Sequence, residues 1–298
     1  MKPNVYFVVG PTAIGKTAFA ISLAKQLHTE IISADSRQFY RDMYIGTAVP
    51  SIDELAAVPH HFIQHKSIFD NYSVGDFEKE ALVKIDELLK AFGSAVVVGG
   101  SGLYIEALIK GLDVFPDVPD AVRTEVRDLY QNEGLSAIQN RLQQLDSEYY
   151  NEVDLQNPQR ILRALEVSLA SEKPYSFWRN QNQVYRNFET KLLGLRTDRS
   201  LIYERINKRV DIMMADGLLE EAKDLYENRN LNALNTVGYK ELFQCFDGEI
   251  SLENAVEAIK MNTRRFAKRQ LTYFQNRLSA TWLDIQQLPN IEVLLKEL

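Results

Sequence analysis

The sequence predicts an α/β fold: a parallel sheet covered by helices on both faces, interrupted by a smaller all-helical insertion domain. Three observations lead to this prediction. Short apolar runs alternate with stretches whose apolar residues recur at helical spacing, the pattern of buried parallel strands joined by helices. A glycine-rich loop separates the first run from the first helix. One long internal region contains helical patterns and no strand pattern.

The elements of the sheet domain follow in chain order. Apolar runs predict strands at Val5–Val9, Glu30–Ala34, Ala95–Val98 and Lys191–Leu195. Helical spacing predicts helices at Lys16–Leu27, Ser73–Phe92, with Ser73 as N-cap, and Leu252–Leu278. We therefore assign residues 1–113 and 189–298 to this domain.

Residues 114–188 form the predicted insertion. Helical patterns cover Asp120–Asn132, Leu135–Leu145 and Pro158–Ser171, and no strand pattern interrupts them. Pro116 and Pro119 mark the entry, and the polar run "NQNQVYRN" at 180–187 marks the exit.

The composition is that of a globular enzyme in a reducing compartment. Of 298 residues, 45% are hydrophobic and 25% are charged, and no run approaches the ~20 apolar residues of a membrane span. Cys245 is the single cysteine, which excludes an internal disulfide and a thiolate zinc cluster and favours a cytoplasmic location. Because the net charge is −7, any binding of nucleic acid depends on a local basic patch. We expect a monomer without membrane association.

Residues 10–17, "GPTAIGKT", match the phosphate-binding pattern G-x-x-x-x-G-K-[ST] between a predicted strand and a predicted helix. Backbone N–H groups and the helix N-terminus attract phosphate oxygens, and Lys16 adds a full positive charge. Thr17 can offer its hydroxyl to Mg²⁺ or to a phosphate oxygen. The fold is therefore predicted to be P-loop NTPase-like, with phosphate contacts from Gly10, Pro11, Thr12, Ala13, Ile14, Gly15, Lys16 and Thr17. The pattern alone does not tell whether the phosphate belongs to ATP or to another compound.

Asp35 and the "GGSG" turn at 99–102 follow two predicted strands, so they should lie at the sheet edge that carries the phosphate loop. Asp35 has three possible roles: a helix N-cap, a magnesium ligand, or a general base toward an acceptor substrate. The glycines allow either close approach of a ligand or tight helix packing, and Ser101 can donate a hydrogen bond. Position alone does not separate these alternatives.

Residues 259–277, "IKMNTRRFAKRQLTYFQNR", contain six basic residues and no acidic one. Helical spacing predicts a basic flank of Arg264, Arg265, Lys268 and Arg269, while Phe266, Leu271 and Phe274 can face the core. The basic flank is either a solvated surface or a seat for a nucleic-acid backbone. Another predicted helix carries three arginines, one of which could turn toward the phosphate: Arg199, Arg205 and Arg209.

Other kinds of site find no support in the sequence. His60, His61 and His65 cluster after Pro59, but their spacing matches no zinc pattern, and we predict no metal site there. The sequence contains neither G-x-S-x-G nor H-E-x-x-H, the motifs of acyl transfer and metalloprotease chemistry.

Nine stretches together resemble one family, the tRNA dimethylallyltransferases or tRNA isopentenyltransferases. They run in the family's order from residue 10 to 274, nearly the whole chain: "GPTAIGKT", "DSRQFYRDMYIGTA", "PHHF", "YSVGDF", "GGSGLYI", "NPQRILRALE", "LIYERINKRVDIMMADGLLEE", "VGYKEL" and "NTRRFAKRQLTYF". The phosphate loop is shared with many kinases, whereas its combination with "DSRQ", "GGSGLY" and "NTRRFAKRQ" is specific. The resemblance implies transfer of a dimethylallyl group from dimethylallyl diphosphate to the exocyclic amine of the adenosine adjacent to the anticodon. It also implies Mg²⁺ as cofactor and the tRNA anticodon stem-loop as partner.

The resemblance assigns roles to residues. The loop would hold the departing diphosphate, whose growing charge Lys16, Arg209 and Mg²⁺ at Thr17 would stabilise. Asp35 would accept a proton from the adenine amine. We expect the adenine to be flipped out of the anticodon loop to reach the cleft. The implied tRNA contacts are Asp35, Ser36, Arg37, Gln38, Ser101, Arg123, Gln159, Arg160, Arg163, Arg264, Arg265 and Lys268.

Three positions depart from the family's usual residues, and they concern fine substrate contacts. Val49 replaces lysine, Ser101 replaces threonine, and Gln64 replaces aspartate. Two alternative enzymes would use the same loop: a small-molecule kinase with ATP, and an adenylate isopentenyltransferase that acts on free nucleotides. Neither needs a basic surface of RNA size. A non-catalytic RNA-binding protein would not need an intact phosphate loop.

Overall fold

The computed structural model describes residues 2–179 and 184–298. The chain forms two compact units: a sheet unit of the residues up to Ile109 together with Arg186–Leu298, and a helical unit of Lys110–Tyr185. The predicted exit run begins with residues 180–183, which lie outside the described residues.

Six strands form one sheet within the described residues. They are β1 (Asn4–Val9), β2 (Ile31–Ser33), β3 (His60–His61), β4 (Ser94–Val98), β5 (Glu189–Arg196) and β6 (Thr281–Asp284). Their order across the sheet is β3-β2-β4-β1-β5-β6, and every pair of neighbours is parallel. The parallel sheet confirms the predicted fold class.

Helices connect the strands and build the helical unit. The helices are α1 (Lys16–Leu27), α2 (Ile52–Ala57), α3 (Val74–Phe92), α4 (Gly102–Lys110), α5 (Asp120–Glu133), α6 (Leu135–Leu145), α7 (Ser147–Glu152), α8 (Pro158–Ser171), α9 (Tyr175–Trp178), α10 (Arg199–Ala215), α11 (Leu218–Leu225), α12 (Tyr239–Phe246), α13 (Leu252–Arg277) and α14 (Ile291–Glu297). Ser73 caps α3 as predicted, in a reciprocal capping box with Asp76.

The sheet is buried on both faces because side chains of a strand alternate between them. In β1, Val5, Phe7 and Val9 belong to one core, while Tyr6 and Val8 belong to the other. Both flanking layers are helical, so the carboxyl edge of the sheet is where the chain can offer polar groups to a ligand.

The helical unit has its own core, which includes Val126, Ile138, Leu142 and Ile161. Its limits differ by a few residues from the predicted 114–188. Arg186 belongs to the sheet unit because its guanidinium donates to the carbonyls of Ala107 and Leu108 and pairs with Glu78.

Among the described residues, no helix combines the length and the apolar character that crossing a bilayer requires.

Candidate active site

A cleft of about 780 Å³ opens at the carboxyl edge of the sheet. Its floor is the phosphate loop between β1 and α1, and Asp35 after β2 and Gly99 and Gly100 after β4 complete one wall. Most residues of the segment 44–54 and residues at the end of α10 also line the cleft. The structure thus brings the predicted phosphate loop, Asp35 and Arg209 to one cleft.

The phosphate loop turns directly into α1. Gly15 is the N-cap of that helix with φ 104°, a left-handed conformation that glycine adopts without strain. The Lys16 ammonium donates to the carbonyl oxygen of Pro11 at 2.9 Å. Burial lowers the pKa of Lys16 to about 8; the attraction of Asp35 opposes this shift and the repulsion of Arg209 adds to it. The lysine charge is therefore poorly solvated, and an anion in the loop would stabilise it.

Arg209 is the inward-facing arginine of α10. One of its guanidinium nitrogens donates to Thr12 Oγ1 at 3.3 Å, and the residue lines the cleft. Burial lowers the Arg209 pKa, which the carboxylates of Glu54 and Asp35 partly offset. The other two arginines are used differently: Arg205 donates to the Ile14 carbonyl oxygen and Arg199 to the Tyr203 hydroxyl.

Asp35 is half-buried and faces the cleft. Its Oδ1 accepts the Arg37 N–H at 3.0 Å, which holds the carboxylate in one orientation. Its Oδ2 makes no hydrogen bond to any residue that the structure describes. Beside it, Ser101 Oγ accepts the Ser36 N–H at 3.0 Å and contacts the Ser36 hydroxyl at 3.1 Å, so Ser101 orders the turn after β2.

The side chains of Arg37 and Gln38 are tied into the chain. Arg37 donates to the carbonyl oxygens of Asn232 and Ala233, both at 2.9 Å. The Gln38 amide nitrogen donates to the Ala48 carbonyl oxygen at 2.8 Å, and its oxygen accepts from the Ser33 hydroxyl. A base contact by either side chain would have to replace these bonds.

The residues 44–46, of which Tyr44 and Ile45 line the cleft, are held by one carboxylate. Glu221, in the first turn of α11, accepts the N–H groups of Tyr44, Ile45 and Gly46 at 2.7–2.9 Å and the hydroxyl of Tyr239 at 2.6 Å. We call this arrangement the Glu221 brace. Tyr239 is fully buried, and burial and the nearby Glu221 carboxylate raise its pKa, so it remains a hydrogen-bond donor.

The walls of the cleft also include apolar side chains: Ile45, Val49, Ile63, Ile212 and Met213. Val49, the departure from the family's usual lysine, is among them. Polar and apolar ligand parts could therefore both be accommodated.

The three histidines are oriented toward different partners. His60 Nδ1 lies 2.7 Å from the Val58 carbonyl oxygen, so this nitrogen carries the proton; Nε2 is buried and has no hydrogen bond to the described residues. His61 pairs with Glu30 at 2.6 Å, and the His65 ring packs against Phe39.

The basic helix α13 divides its cations between two roles. Arg264 is half-buried and donates to Asn207 Oδ1 at 2.6 Å, whereas Arg265, Lys268 and Arg269 are exposed. The predicted flank of four therefore consists of three exposed residues and one that packs against α10. The prediction that Phe266 faces the core is wrong: it is 39% exposed, because the buried stripe runs through Ala267, Gln270 and Phe274.

The other predicted tRNA contacts lie in the helical unit. Gln159, Arg160 and Arg163 are exposed near the N-terminus of α8, and Arg163 lies over the Phe115 ring. Arg123 is exposed on α5, 3.8 Å from Asp120.

Sequence analysis missed Gln270. Its side chain is buried beside the phosphate loop, where it bonds to Thr12 and Gly100. The signal was present: a polar amide occupies the apolar stripe of a helix, where a buried polar group needs partners. Glu221 and Tyr239 lie in two of the stretches that resemble the family, but the sequence analysis assigned no role to either residue.

Comparison with known sequences places these features in a family context. The family model described as IPP transferase matches residues 38–277, a range that begins after the phosphate loop and Asp35. The tRNA dimethylallyltransferase of Flavobacterium johnsoniae is 54% identical over 93% of this chain and 92% of its own length. That of Christiangramia forsetii is also 54% identical, over 94% of this chain and 93% of its own.

Solved structures agree with the sequence comparison. The tRNA isopentenylpyrophosphate transferase of Bacillus halodurans has a TM-score of 0.72 at 35% identity, covering 99% of this chain and 94% of that one. A eukaryotic dimethylallyltransferase acting on tRNA has a TM-score of 0.78 at 26% identity, covering 95% of this chain and 74% of that one. Together these similarities confirm the resemblance drawn from the sequence motifs.

Proposed function

Because the chain belongs to the IPP transferase family, we propose that it transfers a dimethylallyl group from dimethylallyl diphosphate to the exocyclic amine of the adenosine adjacent to the anticodon in tRNA. The observation that carries the proposal is one cleft with two kinds of group. Lys16 and Arg209 supply positive charge at the phosphate loop, and Asp35 supplies a carboxylate with an available oxygen. A departing diphosphate needs the first, and an amine that loses a proton needs the second.

The reaction exchanges one bond for another. The amine nitrogen attacks the first carbon of the dimethylallyl group, the carbon–oxygen bond to diphosphate breaks, and its electron pair leaves with diphosphate. Lys16, Arg209 and the loop N–H groups stabilise the charge that grows there, and each well-placed donor can contribute about 3 kcal/mol. The amine proton passes to Asp35, which the Arg37 N–H holds in orientation.

Mg²⁺ fits the chemistry of the donors at the loop. The Thr17 hydroxyl lines the cleft and would offer an oxygen ligand, and Mg²⁺ in proteins commonly combines a few such ligands with substrate phosphates. Among the described residues, no group of three or more His, Cys, Asp or Glu side chains could hold a metal ion alone. Binding would therefore depend on the diphosphate, and the ion when bound would neutralise part of its charge.

The apolar part of the cleft supports a prenyl donor rather than a nucleotide as the phosphate compound. Ile45, Val49 and Ile63 offer contacts that a five-carbon hydrocarbon can use. Val49 in particular places a hydrocarbon side chain where the family usually has a positive charge.

The tRNA would be recognised through both units. Arg265, Lys268 and Arg269 on α13, and Arg160 and Arg163 on α8, are exposed cations in a chain of net charge −7. Cationic side chains of this kind attract the phosphate backbone, and the resulting binding affinity decreases as the salt concentration rises. The adenine would leave the anticodon stack to reach Asp35.

The enzyme would act as a monomer in the cytoplasm, where its substrate tRNA would be found. Its single cysteine is free, which is compatible with that reducing environment. Light scattering of the purified protein tests the monomer, and cell fractionation tests the location.

The decisive experiment incubates the protein with dimethylallyl diphosphate, Mg²⁺ and unmodified tRNA, then digests the tRNA and analyses its nucleosides by mass spectrometry. We expect prenylated adenosine at the position next to the anticodon. A matched tRNA with guanosine at that position is the control and should remain unmodified.

Two further reactions distinguish the alternatives. Free AMP replaces tRNA in one; in the other, ATP replaces dimethylallyl diphosphate and a set of small hydroxyl compounds replaces tRNA. Prenylation of AMP with unmodified tRNA would identify an adenylate isopentenyltransferase. Phosphate transfer from ATP to a small hydroxyl compound, without prenylation, would identify a kinase.

A further inference from the structure

Gln270 joins the two glycine-rich loops of the cleft. Its side chain is 6% exposed and lies on the buried stripe of α13. Its Oε1 accepts the N–H of Thr12 at 2.8 Å, and its Nε2 donates to the carbonyl oxygen of Gly100 at 2.9 Å. The orientation of the amide is fixed, because a flip would set nitrogen against N–H and oxygen against carbonyl oxygen.

The Gln270 amide is also closely packed against the Gly99–Gly100 turn. A Cβ atom at Gly100 would lie only 2.3 Å from Gln270 Nε2 and 3.9 Å from Lys16 Nζ. The bridge therefore depends on glycine at position 100, and it runs directly beside the lysine of the phosphate loop.

The bridge determines how Thr12 faces the cleft. The Thr12 N–H is used by Gln270, while its hydroxyl accepts from Arg209 at 3.3 Å. Two helices thus hold this one loop residue, α13 through the backbone and α10 through the side chain. A shift of Thr12 would change the position of the Arg209 guanidinium.

We infer that Gln270 is a positioning residue for the anion site: its amide holds the phosphate loop against the Gly99–Gly100 turn and sets Thr12 for Arg209. The identity of the anion as diphosphate rests on the proposed function. The residue type follows from the site, because only a neutral side chain with one acceptor and one donor group matches a backbone N–H and a carbonyl oxygen. A carboxylate there would repel both the Gly100 carbonyl oxygen and a bound diphosphate.

Two substitutions separate the two hydrogen bonds. Gln270→Leu removes both, whereas Gln270→Glu keeps the acceptor for Thr12 and loses the donor to Gly100. We expect each to weaken the binding of inorganic diphosphate with Mg²⁺, measured by calorimetry, by about tenfold or more, since each loses at least one of the hydrogen bonds that hold the loop and one such bond corresponds to about tenfold. The catalytic constant for prenyl transfer should fall as well, while the dissociation constant for tRNA should stay within twofold.

The Thr12 amide reports the positioning directly. Its hydrogen exchange, followed by NMR, should be slow in the wild type and in Gln270→Glu and fast in Gln270→Leu. Asn262→Leu is the matched control, since it removes another amide of α13, a half-buried one that donates to Glu241 away from the loop. This control should leave diphosphate binding and Thr12 exchange unchanged.

Unchanged diphosphate affinity in a folded Gln270→Leu protein would overturn the inference, and so would an equal loss in Asn262→Leu. The proposed function can fail separately. If the wild type neither binds diphosphate nor prenylates tRNA, that proposal falls, and Thr12 exchange in Gln270→Leu still decides whether Gln270 holds the loop.

Discussion

Removal of the Glu221 carboxylate should destabilise the sheet unit and loosen one wall of the cleft. Four donors converge on this side chain: three consecutive N–H groups, from Tyr44 to Gly46, and the Tyr239 hydroxyl. In Glu221→Ala, the N–H groups of exposed Tyr44 and half-buried Ile45 can regain water. The Tyr239 hydroxyl is buried and Gly46 lies directly against the Tyr239 ring, so these two donors cannot easily do so.

The expected loss of unfolding free energy follows from the two donors, the Gly46 N–H and the Tyr239 hydroxyl, that lose their hydrogen bond to Glu221 without a replacement. A hydrogen bond to a charged group contributes about 1.5 kcal/mol or more, so Glu221→Ala should cost about 3 kcal/mol of unfolding free energy. For a unit of this size, that corresponds to a decrease in melting temperature of roughly 6–12 °C. Tyr239→Phe removes one of the two bonds and should cost about half as much.

Differential scanning calorimetry of the single and double variants measures these values, and the double-mutant cycle isolates the Glu221–Tyr239 interaction. The matched control is Glu220→Ala, since Glu220 is the preceding, exposed glutamate on α11; its effect should be within about 0.5 kcal/mol. The KM for dimethylallyl diphosphate should rise in Glu221→Ala and not in the control. A decrease in melting temperature below about 2 °C for Glu221→Ala would refute the reasoning.

Three further predictions concern catalysis and binding. Asp35→Asn should reduce the catalytic constant by about 10²–10⁴ while tRNA affinity stays within twofold, and near-normal turnover in a single-turnover assay would exclude the general-base role. Because the pKa of Lys16 is lowered to about 8, the charged form predominates below that pH, and diphosphate binding should weaken by up to about tenfold per unit as pH rises above it. Calorimetry from pH 7 to 10 tests this, and Lys16→Arg, which keeps its charge, should give a flatter profile than the wild type. Exchange of Arg265, Lys268 and Arg269 for glutamine should reduce the salt slope of tRNA binding by about 2–3, and an unchanged slope would identify these residues as a solvated surface.

Much of the fold was predictable because its signals are local. The apolar runs of β1 and β4 and the helical spacing of α1 and α3 depend on neighbours in sequence, and the structure has these elements within a residue or two of the predicted ends. The edge strand β3 was missed because two residues carry no periodic pattern, and β6 because its four residues are partly exposed.

The flank of α13 shows where helical spacing reaches its limit. Spacing correctly predicted that Phe274 is buried, but it grouped Arg264 with its exposed neighbours and turned Phe266 inward. Which face of a long helix meets the core depends on the elements packed against it. Here Asn207 of α10 binds Arg264, and no pattern within α13 contains that information.

The sequence by itself determined the phosphate loop, the parallel sheet that carries it and the family of the chain, because each rests on residue types at short, fixed spacings. Only the tertiary structure decided how the cleft is held. Thr12 and Gln270 are 258 positions apart, and Tyr44 and Glu221 are 177 apart. Such pairs meet because the sheet and its helices bring distant segments together, and a buried backbone N–H must then find an acceptor wherever the fold provides one.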